Sequence, residues 1–153
     1  MNKIKNFLNK RNVSLFLLVL ILLQFVPIDR TNIPHSNEIK APTQISSMLK
    51  RACYDCHSTV TDWPWYSYVF PVSLLVSHHI EEGREELNFS EFENLKDIKK
   101  ISKLESMIEE IEEQEMPPGY YLLFHKNAHI TKEELTALKK WKDMLEANYV
   151  KDK

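Results

Sequence analysis

A chain of 153 residues with 43% hydrophobic and 27% charged side chains can bury one core and has little room for a second. Its two glycines, Gly83 and Gly119, argue against a β-sandwich or barrel, whose tight turns draw on glycine. The net charge of −2 hides an asymmetry: residues 1–12 carry four cations and no acid, whereas residues 81–115 hold 13 acids against 5 bases, which excludes a basic footprint for nucleic acid.

In chain order, the basic start (residues 1–12) leads into VSLFLLVLILLQFV, residues 13–26, and Pro27. Cations followed by an apolar run form an export address. The sequence after it, PIDRTNIPHSN, offers no small-residue cleavage site, so residues 13–28 are expected to stay as a signal anchor. The cations hold the first residues in the cytoplasm and place the remainder outside, as a single-pass protein of the cytoplasmic membrane. The run is a little short for a span of ~17–25 residues, and a cleaved signal is the competing reading. Residues 29–42, with prolines, asparagines and no apolar period, read as a linker.

From Thr43, a possible N-cap, the apolar positions Ile45, Met48, Leu49, Ala52, Cys53 and Cys56 step by three and four, one face of a helix. An aromatic stretch follows: Trp63, Trp65, Tyr66, Tyr68 and Phe70. Pro71 is placed to open a second helix that stops near Gly83. Ser90–Glu93 and Thr131–Glu134 both fit capping boxes. The first precedes a stripe from Phe92 to Ile111, in one helix or two, ended by Pro117 and Pro118. The second opens a last helix with Leu135, Leu138, Trp141 and Leu145 inward. The expected fold is all-α, four or five helices over residues 43–149.

The chemistry sits in Cys53-Tyr54-Asp55-Cys56-His57, a C-x-x-C-H motif that uses both cysteines of the chain. In c-type haem attachment two thiols three residues apart add across the vinyl groups, and the next residue gives its imidazole to iron. Residues i and i+3 share a helical face, so both sulfurs reach one edge of the macrocycle. A Cys53–Cys56 disulfide, a thioredoxin-like redox pair and a zinc site completed by His57 are alternatives; the last needs a fourth ligand and the second a βαβ context.

A sixth iron ligand is sought in Met116, held by the two prolines after it; thioether with imidazole raises the reduction potential. His78, His79, His125 and His129 are alternatives, and His35 falls in the linker. The aromatic stretch is expected to wall the cofactor. Trp63, Trp65 and Arg84 are candidates for its propionates, and the Pro64 or Pro71 carbonyl for the free nitrogen of His57.

At CYDCHS, WPWYSYVFPVSLLVSHHIEEGREELNFSEF, EMPPGYYLLFH and ITKEELTALKKW, across residues 45–145, the sequence resembles the small haem-binding domain proteins of bacteria, relatives of class I c-type cytochromes. The resemblance implies covalent haem c on Cys53 and Cys56, iron on His57, a cytochrome-c-like helical domain, and Met116 at the place of the late methionine ligand of class I cytochromes. It departs from them in the long aromatic and acidic stretch between the motif and Met116. The expected function is a membrane-tethered electron carrier, not an enzyme. Its haem domain would lie on the periplasmic side, with the acidic face open to a basic redox partner. A haem-based sensor or accessory protein, and a peroxidase-type subunit, are the alternatives.

Overall fold

The computed structural model describes residues 9–33 and 36–151. Among them every regular element is helical and there is no strand, as the all-α expectation required. Two compact units are present. One comprises Trp63–His79 and the chain up to Arg30; the other comprises Thr31–Asp62 and the chain from Ile80 onward.

In the first unit, α1 (Lys10–Leu23) is the apolar run. It buries no residue, which rules out a core helix. It also stops earlier than the expected anchor. Pro27 lacks the N–H that would continue the ladder and pushes Val26 out of the helical region. At about 1.5 Å per residue, 14 residues span about 21 Å, less than a hydrocarbon core of about 30 Å. Among the described residues no helix is long and apolar enough to cross a membrane. Most of the basic leader (residues 1–8) lies outside the described residues. The aromatic stretch forms a 3-10 turn, Trp65–Tyr68, before α4 (Val72–Glu86) begins.

The second unit holds the core. Here α2 (Thr43–Ala52) runs into the single turn α3 (Tyr54–His57). A 3-10 turn, Phe89–Asn94, precedes α5 (Asp97–Glu112); α6 (Gly119–Leu122) and α7 (Lys132–Lys151) follow. Helices α5 and α7 pack against each other, and α2 packs on α7. Leu49, Phe89, Leu104 and Leu138 are fully buried among them; sealing one such side chain contributes about 1.5–3 kcal/mol.

Local capping matches the sequence in one place and departs from it in three. The Thr131 box forms as read: Glu134 N–H donates to Thr131 Oγ1 at 3.2 Å, and Thr131 N–H donates to Glu134 Oε2 at 2.9 Å. Thr43 is the first helical residue after Pro42, with no side-chain cap. Ser90 lies inside its 3-10 turn, whose cap is Asn88; the Ser90 hydroxyl instead accepts from Thr59 N–H at 3.0 Å. The stripe divides there, and α5 ends at Glu112, ahead of the prolines. Its stop is Gln114 with φ 63°, whose left-handed turn lets Glu115 N–H and Met116 N–H both reach Glu110 O.

Nor are residues 29–42 a bare linker. Ile39 is buried in the core and its N–H donates to Phe89 O at 2.8 Å. Glu38 accepts from the Tyr54 hydroxyl at 2.7 Å, and Asn32 exchanges bonds with the Thr61 backbone at 2.9 and 3.1 Å. Two prolines and an absent period concealed a segment held by backbone and polar contacts rather than by an apolar face.

Candidate functional site

Cys53 is the joint between α2 and α3: it closes α2 on Leu49 O at 2.9 Å, and its own carbonyl receives the N–H of both Cys56 and His57. The two thiols therefore sit on one tight turn, three residues apart, and both are free. Burial raises the Cys53 thiol to about 12 and the Cys56 thiol to about 11, with the neighbouring charges of Cys56 and Asp55 adding to the respective effects. Among the described residues there is no strand, so the βαβ context of the thioredoxin-like reading is not found. Among the described residues no group of three or more His, Cys, Asp or Glu side chains is placed to hold a metal ion, so the zinc reading finds no ligand set.

His57 is oriented from behind. Its Nδ1 lies 2.8 Å from Gly83 O and 3.0 Å from Leu87 O. Both partners are carbonyls, which only accept, so Nδ1 carries the proton and Nε2 keeps a free lone pair. Burial holds the imidazole below its ordinary pKa, opposed by the same two backbone bonds. A neutral ring with one nitrogen tied to backbone and the other free is the form a metal ligand takes. The partners are Gly83 and Leu87, at the C-terminal end of α4, rather than Pro64 or Pro71.

Gly83 explains why α4 continues past the expected stop. A Cβ there would lie 2.9 Å from Cys56 O and 3.3 Å from Cys56 C. Only glycine admits so close an approach of the helix to the C-x-x-C-H turn. The residue read as a helix terminator is a contact point in the last turn of α4, beside the histidine.

The loop after the motif is tied back onto it. Arg84 Nε donates to Ser58 O at 2.7 Å and its Nη2 to Thr61 Oγ1 at 3.0 Å, while Thr61 Oγ1 donates to Asp55 O at 2.8 Å. Arg84, expected at a propionate, is thus engaged with the backbone around the motif. Behind His57 stand Phe89 at 6.0 Å between ring centroids and Tyr54, stacked on Phe89 at 5.4 Å. Neither was singled out from the sequence: Phe89 was hidden in front of a misread cap, and Tyr54 was treated only as a spacer in the motif. Arg51 fixes α2 from the other side, donating to Asn127 O, to His129 O at 2.8 Å and to Glu134 Oε1 at 2.5 Å.

The Met116 segment meets the same motif. Met116 is 38% exposed and precedes Pro117, Pro118 and α6. On α6 the Tyr121 hydroxyl donates to Asp55 Oδ2 at 2.7 Å, between the two cysteines in sequence. Tyr120 lies close enough to Cys56 and Glu82 that their charges, after burial, raise its hydroxyl pKa. His125 stacks flat on Tyr121, 4.0 Å between centroids and 4° between planes. His129 is exposed, and His35 lies outside the described residues. His78, His79 and the aromatic stretch belong to the other unit, where Trp65 and Tyr68 are exposed. The aromatic rings placed at the motif are Tyr54, Phe89, Tyr120 and Tyr121.

Two free thiols on one turn, an imidazole immediately after them with Nδ1 tied to backbone carbonyls, and aromatic side chains nearby define a site suited to a planar, metal-bearing macrocycle. The chain belongs to the haem-binding domain family, whose model matches residues 18–144. It is a haem-binding protein with the all-helical fold described above. No curated protein and no solved structure matches the chain.

Proposed function

We propose that this protein is a membrane-tethered electron carrier with one covalently attached haem c, bonded through Cys53 and Cys56, with iron on His57 and Met116. The observation that carries the reading is the His57 imidazole, whose Nδ1–H is given to Gly83 O and Leu87 O, leaving Nε2 for iron. Haem supplies one-electron chemistry between Fe(II) and Fe(III) when bound. The chain's own residues set the conditions. The Gly83 and Leu87 carbonyls fix the tautomer and raise the basicity of Nε2. Phe89 and Tyr54 keep water from the ring. The Tyr121–Asp55 bond holds the Met116 segment to the motif, and Met116 would supply a thioether that, together with the His57 imidazole, raises the reduction potential of a bound haem.

The tether is α1 with its apolar side chains open on all sides, the basic leader lying on the cytoplasmic side and the haem domain outside. The acidic stretch of residues 81–115 suits a basic redox partner by charge complementarity. A sensor or accessory protein is the second reading, favoured by the exposure of Met116, which leaves that ligand open to exchange.

Attachment is tested on protein expressed with cytochrome c maturation machinery. Denatured protein keeps its haem on a gel with its mass raised by one haem, and Cys53→Ala with Cys56→Ala loses it. Extraction of haem from the wild type by acidified organic solvent would sink the proposal. Met116→Ala abolishes the weak thioether charge-transfer band at the red edge of the ferric spectrum and lowers the potential, while His79→Ala and His125→Ala leave the band in place. Carbon monoxide binding by the wild type decides for the sensor.

A further inference from the structure

Two long stretches of this chain, residues 13–28 and residues 63–77, contain no Asp, Glu, Lys or Arg, although such residues make up 27% of the whole. Both fall in the same compact unit. Both leave large apolar side chains open: Phe16 and Phe25 on the first are 60% and 79% exposed, and Trp65 and Leu75 on the second are 72% and 53%. Scattered apolar residues on a surface need no explanation, but two uncharged stretches side by side in one unit do.

The second stretch is fastened to the C-terminal end of the first. Phe70 N–H donates to Gln24 Oε1 at 3.3 Å, directly after α1. Arg30 donates to Ser67 O at 2.6 Å, and its guanidinium lies over Tyr68 at 4.5 Å and Trp63 at 5.4 Å. Along this unit the order is therefore Lys10 and Arg11, then apolar helix, then tryptophan and tyrosine with an arginine. Cations, an apolar slab and an aromatic girdle are the sequence of layers met in crossing a bilayer. The length of α1 points to the same occupant. Alone it falls about 9 Å short of the hydrocarbon core, and the aromatic stretch adds apolar surface where the helix stops. A second copy of the chain would satisfy the apolar side chains but gives no reason for the order of layers.

We propose that residues 65–75 form a second lipid-contacting surface, with Trp65 and Tyr68 at the headgroup boundary of the bilayer that takes up α1. The inference rests on the tethered reading above and adds to it a second point of lipid contact, in the same unit as α1.

The test uses the full-length haem-loaded chain in phosphatidylethanolamine–phosphatidylglycerol vesicles containing a trace of phosphatidylcholine with a photoactivatable diazirine on its acyl chain. After irradiation and flotation, peptide mass mapping should find lipid adducts on residues 13–26 and on residues 65–75, and none on residues 132–145. Trp65→Ser combined with Leu74→Ser and Leu75→Ser should reduce adducts on 65–75 at least fivefold and leave those on 13–26 unchanged. Flotation with adducts confined to 13–26 overturns the inference while the tether stands. A chain that stays at the bottom of the gradient removes the tether and this surface together.

Discussion

Leu104 and Leu75 are the same side chain on helices of 16 and 15 residues, yet one is completely buried and the other 53% exposed. The contrast holds for the units they represent. In the unit of residues 31–62 and 80–151, apolar periods point inward and meet: Leu49 from α2, Leu104 from α5 and Leu138 from α7 close one core around Phe89. In the unit of residues 9–30 and 63–79, α1 buries nothing, and Trp65, Tyr68 and Leu75 face outward. Similar apolar content therefore does two kinds of work. One region uses it to make a rigid frame for the His57 turn; the other displays it. Periodicity separates the two in advance, because α5 is amphipathic while α1 is apolar on every face.

The largest way to break this contrast is to truncate one leucine from each region and measure unfolding of the full chain in mild detergent. Leu104→Ala removes a fully buried side chain and should cost about 2–5 kcal/mol. Leu75→Ala should stay within about 0.5 kcal/mol. Comparable losses at both positions would mean that Leu75 is part of a core and that the outward unit is misjudged.

How much of this was legible beforehand follows the same division. The all-helical class, the inward face of α7 and the Thr131 box could be read because each rests on local pattern, repeated apolar spacing or a four-residue signature. The C-x-x-C-H motif was legible for a similar reason, its residues being close in sequence. What supports the motif was not. The acceptors for His57 Nδ1 are backbone carbonyls 26 and 30 residues further on, and a carbonyl has no residue identity to read. Asp55 and Tyr121 are 66 positions apart, joined by a fold that no local spacing announces. The aromatic stretch, expected to wall the cofactor, falls in the same unit as α1, and aromatic content alone signals burial and interfaces alike. Arg84, a candidate for a propionate, donates to Ser58 O and Thr61 Oγ1, and a cation near the motif fits a propionate and a backbone carbonyl equally well.

Gly83 is where the frame is most easily disturbed without removing a ligand. Gly83→Ala places a methyl group 2.9 Å from a backbone oxygen of the residue before His57, and backbone yields less readily than a flexible side chain. Helix propensity alone would make the change favourable by about 1 kcal/mol. Overpacking of about 1–3 kcal/mol opposes it and should win. The expected outcome is a net loss of stability together with a shift in the ferric spectrum, because α4 can retreat only by lengthening the bonds from His57 to Gly83 and Leu87. A stabilised variant with an unchanged spectrum would show that α4 has freedom to move and that His57 does not depend on its position.

The smallest expected effect separates holding the Met116 segment from merely packing it. Tyr121→Phe keeps the ring and its stack with His125 but deletes the hydroxyl that donates to Asp55. Asp55 retains Asp62 N–H at 3.2 Å on its other oxygen, so the carboxylate is not stranded, and the loss should be about 1 kcal/mol. Haem attachment does not pass through this bond, and the covalent haem content should stay at the wild-type level. The sixth position is different. With the segment released from the motif, the thioether charge-transfer band should weaken, and imidazole added from solution should bind more readily than to the wild type. Asp55→Asn in the otherwise wild-type chain, which still offers an oxygen to the Tyr121 hydroxyl, should keep most of the band. An undiminished band in Tyr121→Phe would mean that Pro117 and Pro118 alone hold Met116, leaving the Tyr121–Asp55 bond a contribution to stability only.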